Sequence, residues 1–329
     1  MPASSKPAPR LLRGGSDPVY LATDTIGDAW SWLVLREAVF DGVTRFTVFQ
    51  SRLGIARETL TGRLAHLTRS GLLVREGADY RLTPCGKDVF GCLAAAMNWG
   101  DRWYGNDSAT DLRMEHRLCG RRFKPLFVCS ACARPLDPRE VVVEAVARKS
   151  AELIGGSRRR TPNLDLLEQV RPCSIARTLR VTGDRWSSLV IRESFMRTRR
   201  FDDFTRHLGV APNILARRLT RLVALGMLTR RPYQKKPLRY EYRLTKKGLD
   251  YYPVPLAMLT WAQRWLGDAK RGIILRHTGC GETFTAVLSC GHCAAPASRD
   301  DVIVQTTSRP KGGRQTNALS SSHPPITMS

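Results

Sequence analysis

The sequence predicts an α+β chain built twice on one plan. Each copy has three short helices, a β-hairpin, a longer helix and a small β segment bearing cysteine and histidine. Three observations carry this prediction. Between Gly183 and Leu228, apolar residues recur at helical spacing in three runs separated by turn residues. The motifs of residues 19–105 return at a nearly constant offset in residues 173–269. A His/Cys set behind the first copy recurs behind the second.

In the second copy, Leu189, Val190, Phe195 and Met196 mark one helix, and Phe201, Phe204 and Leu208 mark the next, which Gly209 breaks. Pro212 stands where a third helix would begin, a position that loses nothing from the missing N–H. From there Leu215, Leu219, Leu222 and Gly226 line one side. The opposite side carries Asn213, Ala216, Arg217, Thr220 and Arg221, with Arg218 on the flank. A leucine spine with an Asn/Arg back suits a polyanionic groove. The hairpin that follows, from Thr229 to Leu244, carries Arg230, Arg231, Lys235, Lys236 and Arg239.

The first copy matches this stretch motif by motif. Gly27-Asp28-x-Trp30 corresponds to Gly183-Asp184-x-Trp186 at an offset of 156. Leu53-Gly54 and Arg63-Leu64 correspond to Leu208-Gly209 and Arg218-Leu219 at 155. Beyond the hairpin the offset is 162, pairing Trp99 with Trp261 and Trp103 with Trp265, so seven extra residues lie in the second hairpin. Each copy closes on a helical segment, Val89–Tyr104 and Leu249–Leu266, whose tryptophan stripe reads as packed core or interface. Two copies are too few for a solenoid.

The copies differ in charge. Residues 19–105 hold ten Lys+Arg against nine Asp+Glu, a net of +1, whereas residues 173–268 hold twenty against seven, a net of +13. The outward positions of the first copy's third helix are Glu58, Thr61, Gly62, Ala65 and His66, with Arg57 at the entry and Arg63 on the flank. The second copy is therefore expected to grip an anionic partner. The first is either a weaker reader, with small residues near a thymine methyl, or a degenerate module kept for pairing.

Gly183-Asp184-Arg185-Trp186, Arg199-Arg200-Phe201, Pro212-Asn213, Arg217-Arg218-Leu219, Leu225-Gly226 and the run Tyr240–Gly248 together resemble the HxlR family of winged helix-turn-helix regulators. The resemblance spans roughly 95 residues with its motifs in order. It implies a winged-helix fold, duplex DNA as the ligand and pairing of two modules. The DNA-contacting residues it suggests are Pro212, Asn213, Arg217, Arg218, Thr220, Arg221, Lys235, Lys236 and Arg239, with Arg57, Thr61 and Arg63 in the first copy. It further suggests an intramolecular pseudo-dimer of the two copies, and leaves room for a homodimer. Cys173, just ahead of the second copy's first helix, stands where some such regulators place a redox-sensing cysteine; Asp17 holds the matching place in the first copy.

His116-x2-Cys119-x9-Cys129-x2-Cys132 recurs as His277-x2-Cys280-x9-Cys290-x2-Cys293, every member at an offset of 161. Three thiolates and an imidazole suit tetrahedral zinc in a structural site with no ligand position left open. Two structural Zn2+ ions, one per repeat, are therefore expected, in zinc-ribbon-like segments too small to fold without metal. Buried or disulfide-linked cysteine pairs, or an iron–sulfur cluster, are the alternatives. His292 has no counterpart in the first set and is left out.

The chain of 329 residues carries a formal net charge of +24, which favours nucleic acid or an acidic surface as partner. No apolar run approaches the roughly 20 residues of a membrane span, and residues 1–18 have no apolar signal region. The division expected is a disordered arm (1–18), a near-neutral module (19–105), a ribbon-like segment (106–145), a linker (146–172), a strongly basic module (173–269), a second ribbon-like segment (270–305) and a disordered tail (306–329). The function expected is a cytoplasmic, nucleoid-associated, non-enzymatic transcriptional regulator. A sequence-indifferent architectural DNA- or RNA-binding protein is the rival that charge alone would support.

Overall fold

The computed structural model describes residues 10–11, 17–105, 112–146, 173–266 and 272–306. The expected linker beyond Val146 and the tail beyond Thr306 lie outside the described residues. Asp17 accepts a hydrogen bond from the Tyr20 amide and so caps the first helix, α1 (Pro18–Ile26). Asp28 caps α2 (Ala29–Asp41) through the Ser31 amide. Then come α3 (Phe46–Leu53), which ends on the left-handed Gly54, and α4 (Arg57–Arg69), with Leu60, Leu64 and Leu67 buried. Strands β2 (Leu73–Glu76) and β3 (Asp79–Leu82) form the hairpin, α5 (Pro84–Asp88) follows, and α6 (Phe90–Tyr104) closes the module.

The second module repeats the order. Its elements are α7 (Ser174–Thr182), α8 (Arg185–Phe195), α9 (Phe201–Leu208), α10 (Pro212–Ala224), β8 (Leu228–Lys235), β9 (Leu238–Leu244), α11 (Lys246–Asp250) and α12 (Pro253–Trp265). Leu215, Leu219 and Leu222 are buried, as the spine requires, and Gly209 ends α9 at φ 59°. The hairpin is eight residues long on its first strand against four in the first module.

The two modules are not independent bodies, because a single apolar core runs through both. Helix α6 of the first repeat packs on α7 of the second, α1 packs on α12, and α6 meets α12. The contacts are reciprocal. Trp99 Nε1 donates to the Lys247 carbonyl at 3.1 Å and Trp261 Nε1 to the Cys85 carbonyl at 3.0 Å. Arg102 pairs with Asp250 and Arg264 with Asp88. The tryptophan stripes are thus interface between the repeats, with Trp99 and Trp261 buried.

The small β segments interlace further. In the first repeat they comprise β4 (Leu112–His116), β5 (Arg121–Arg122), β6 (Pro125–Cys129) and β7 (Val141–Val146). In the second they comprise β10 (Ile273–His277), β11 (Thr283–Phe284), β12 (Ala286–Cys290) and β13 (Val302–Thr306). Apart from the short β4–β5 and β10–β11 pairs, every ladder crosses between repeats: β6 with β12, β4 with β13 and β7 with β10, all antiparallel. Strand β1 (Arg10–Leu11), inside the arm expected to be disordered, adds a parallel edge to β7.

Candidate nucleic-acid interface and metal centres

Helix α10 presents Pro212, Asn213, Ala216, Arg217, Thr220 and Arg221 to solvent on the side opposite its buried leucines. Among the described residues Arg217 has no ion-pair partner. Arg218 is different: its Nε lies 2.9 Å from Asp184 Oδ1, the carboxylate that also caps α8. Arg63 makes the same tie to Asp28, at 3.2 Å. Both flanking arginines therefore brace the fourth helix of their module (α4 and α10) against the N-cap of the second (α2 and α8). Arg221 Nη2 donates to the Arg180 carbonyl at the end of α7.

The first module's counterpart is plainer. Thr61 Oγ1 donates back to the Arg57 carbonyl at 2.9 Å, Arg57 stacks over Phe46 at 5.6 Å, and His66 Nε2 bonds the Thr25 carbonyl at 2.8 Å. Glu58, Thr61 and Gly62 remain exposed. In the second hairpin Lys235, Lys236 and Arg239 are exposed near the tip. Arg230 stacks on Tyr240 of the facing strand at 4.2 Å, and Arg200, the N-cap residue of α9, stacks on Tyr233 of the hairpin at 4.6 Å. Among the described residues Arg239 has only a distant carboxylate, Asp202 at 3.9 Å.

All eight expected metal ligands gather into two clusters, but not one per repeat. The first cluster is His116, Cys119, Cys290 and Cys293; the second is Cys129, Cys132, His277 and Cys280. The grouping expected from the spacing, four ligands within each repeat, is therefore corrected. The cause is the β6–β12 ladder, which pairs Cys129 with Ala286 and Pro125 with Cys290. The two Cys-x-x-Cys turns thus sit four strand positions apart, about 13 Å at the usual rise, each beside the other repeat's His-x-x-Cys turn.

The geometry fits zinc. A tetrahedral ion with usual Zn–S and Zn–N bonds needs about 3.8 Å between thiolates and about 3.6 Å between sulfur and imidazole nitrogen. The observed Sγ–Sγ distances are 3.9 Å (Cys119–Cys290) and 4.0 Å (Cys129–Cys280). The Nδ1–Sγ distances are 3.4 and 3.3 Å from His116 to Cys119 and Cys293, and 3.3 and 3.5 Å from His277 to Cys132 and Cys280. All nine cysteines are free thiols, which sets the disulfide alternative aside. Gly120 and Gly281 turn at φ 63° and 80°, and Ala133 and Ala294 take φ 57° and 60°, each folding a ligand pair around one point.

Each histidine also has an acidic neighbour that the sequence reading did not single out. Glu140 Oε2 lies 3.5 Å from His277 Nε2, the nitrogen turned away from the cluster. Asp301, the residue at the same offset of 161, carries an electrostatic contact with His116, though hydrogen bonds from Ser298 are the larger cause of its lowered pKa. A carboxylate hydrogen-bonded to that nitrogen would hold the ring with Nδ1 toward a metal; at 3.5 Å Glu140 makes no hydrogen bond, and His277 Nε2 has no hydrogen-bond partner among the described residues. A pair of acids recurring at the ligands' own offset was the available signal. His292 is exposed and belongs to neither cluster.

Cys173 is buried at the start of α7 with the charge of Arg36, from the other repeat, acting across from it. Its counterpart Asp17 faces Arg192 in the same way. Arg177, four residues on, donates to the Tyr104 carbonyl. Cys92 is buried and burial pushes its thiol pKa far up; half-buried Cys85 is raised to about 11 by burial and Asp88.

The fold and its exposed basic helix define a tandem winged helix-turn-helix protein. The HxlR-like helix-turn-helix family matches residues 25–108 and 181–270, more than half of the chain, and the protein belongs to that family of transcriptional regulators. It is similar to an uncharacterized HTH-type transcriptional regulator of Mycobacterium tuberculosis, 38% identical over 130 residues, covering 39% of this chain and 82% of the relative. A regulator of the same description from Synechocystis is 35% identical over 95 residues, covering 29% and 70%. Among solved structures, a candidate transcription factor from Pseudomonas aeruginosa is 34% identical with a TM-score of 0.31, covering 43% of this chain and 96% of that one. Among the described residues no helix is long and apolar enough to cross a membrane.

Proposed function

We propose that this regulator reads duplex DNA mainly through α10 and the β8–β9 wing of its second module, with the two repeats acting as an intramolecular pseudo-dimer. The carrying observation is the contrast between matched surfaces. Helix α10 exposes Asn213, Arg217 and Thr220 where the matching positions of α4 hold Glu58, Gly62 and Ala65. In this reading α10 lies in the major groove, Arg217 reaches a guanine edge or a phosphate, and Asn213 an adenine. Arg221 adds charge beside them while anchored to α7. A bidentate base contact is worth roughly 1–3 kcal/mol of discrimination. Lys235, Lys236 and Arg239 grip the backbone without reading sequence. Arg218 and Arg63 hold their helices in place through the N-cap carboxylates.

Two Zn2+ ions are assigned to the mixed clusters in a structural role, since four protein ligands leave no open position for water. A sensor role for Cys173 is the lesser reading, because the thiol occupies the structural place that Asp17 fills opposite Arg192. The operator is expected to be asymmetric, with one strong and one weak half-site. In a mobility-shift titration, Arg217→Ala weakens binding about tenfold or more, and Thr61→Ala changes it little; equal losses would defeat the asymmetry. The net charge of +24 favours a second reading, sequence-indifferent binding. Competition by bulk DNA as effective as by the selected duplex would establish that reading instead.

A further inference from the structure

We infer that each metal is a cross-link between the repeats, and that metal loading sets how the two recognition helices are presented to DNA. The inference rests on the DNA-reading function above. Each cluster takes two ligands from either repeat, His116 and Cys119 with Cys290 and Cys293, and Cys129 and Cys132 with His277 and Cys280. The strands that carry them are exchanged as well, so neither repeat completes the β unit alone.

The β unit leans on both reading modules, and it does so crosswise. Strand β13 of the second repeat lies against α2 of the first module, with Arg299 Nε donating to the Val39 carbonyl at 2.7 Å; α2 in turn packs on α4. Val141 and Val143 of the first repeat line one small cavity with Phe195 of α8 and the adjoining Met196 in the second module, and α8 packs on α10. Each recognition helix is thus buttressed by a strand that belongs to the other repeat and is pinned by a shared metal. Opening the clusters frees both buttresses together. The ligand sulfurs can be reached from solvent: Cys293 is exposed and Cys119, Cys132 and Cys280 are half-buried. Loading therefore responds to the free zinc concentration and to chelators, and through it the DNA-binding geometry does too.

Two measurements on the full chain test this. The first counts tightly held zinc after competition with a chromophoric chelator. Cys119→Ala/Cys290→Ala, which strikes one mixed cluster, keeps one ion per chain; Cys119→Ala/Cys129→Ala, which strikes both, keeps none. The reverse pattern would restore one site per repeat and overturn the cross-link. The second uses duplexes selected from a random pool by the zinc-loaded chain, with fluorescence anisotropy before and after chelation and helical circular dichroism as the control for folding. Chelation is expected to weaken the full selected duplex about tenfold or more through lost effective concentration, and a duplex cut to the strong half-site less than about twofold. Equal affinities with and without metal would sink the coupling while leaving the DNA-reading function standing. Failure of the loaded chain to select any duplex would instead remove the function, and the zinc count would still decide the ligand grouping.

Discussion

At the scale of single residues, arginines that look alike in the sequence divide by their partners. Arg217 faces solvent, whereas Arg218 is held 2.9 Å from the Asp184 carboxylate with only a quarter of its side chain exposed. A pair this close to the surface contributes little after screening, about 0.5–1 kcal/mol. Arg218→Ala should therefore lower stability by about that much and leave the salt dependence of DNA binding unchanged. Lys235→Ala on the wing should do the opposite, keeping stability and reducing the slope of log K against log[salt] by about one. Equal slopes for the two variants would show that the two side chains share one role. The residue types were legible in the sequence, but the division was not, because an N-cap aspartate 34 positions away gives no local signal of its partner.

At the scale of elements, helical periodicity placed every reading helix, and burial of Leu215, Leu219 and Leu222 follows directly from spacings of four and three. What periodicity does not reveal is which helix each apolar face meets. Helix α6 meets α7 of the other repeat so closely that a Cβ added at Gly100 would lie 2.1 Å from the Ser174 carbonyl oxygen and 2.7 Å from Thr178 Oγ1. Helix propensity alone favours Gly100→Ala by about 1 kcal/mol, whereas overpacking against fixed backbone costs about 1–3 kcal/mol. The clash is with backbone, so it should prevail. The variant is expected to unfold at lower urea with an unchanged slope, and an increase in the midpoint would show that the crossing can open at no cost.

At the scale of the whole molecule, the repeats are joined by a common core, reciprocal tryptophan bonds and two mixed Cys/His clusters. A structural zinc contributes about 10–16 kcal/mol of apparent binding energy in small peptide sites. In the zinc-loaded chain proposed above that energy would act between repeats, so chelation should lower the midpoint of thermal unfolding for the helical signal of both modules. A helical transition unmoved by metal removal would mean that the β unit is energetically separate from the modules it touches.

By itself the sequence determined the duplication, the helices and wings, the charge contrast between modules and the eight Cys and His residues that cluster. Each of these is written in local spacing or in a constant offset. Only the tertiary structure decided the ligand partners, for a reason built into the duplication. Two identical His-x-x-Cys and Cys-x-x-Cys pairs at one offset satisfy spacing equally well within a repeat or between repeats. The choice falls to strand pairing, and β6 pairs with β12 across the repeats, carrying each Cys-x-x-Cys turn to its partner's histidine.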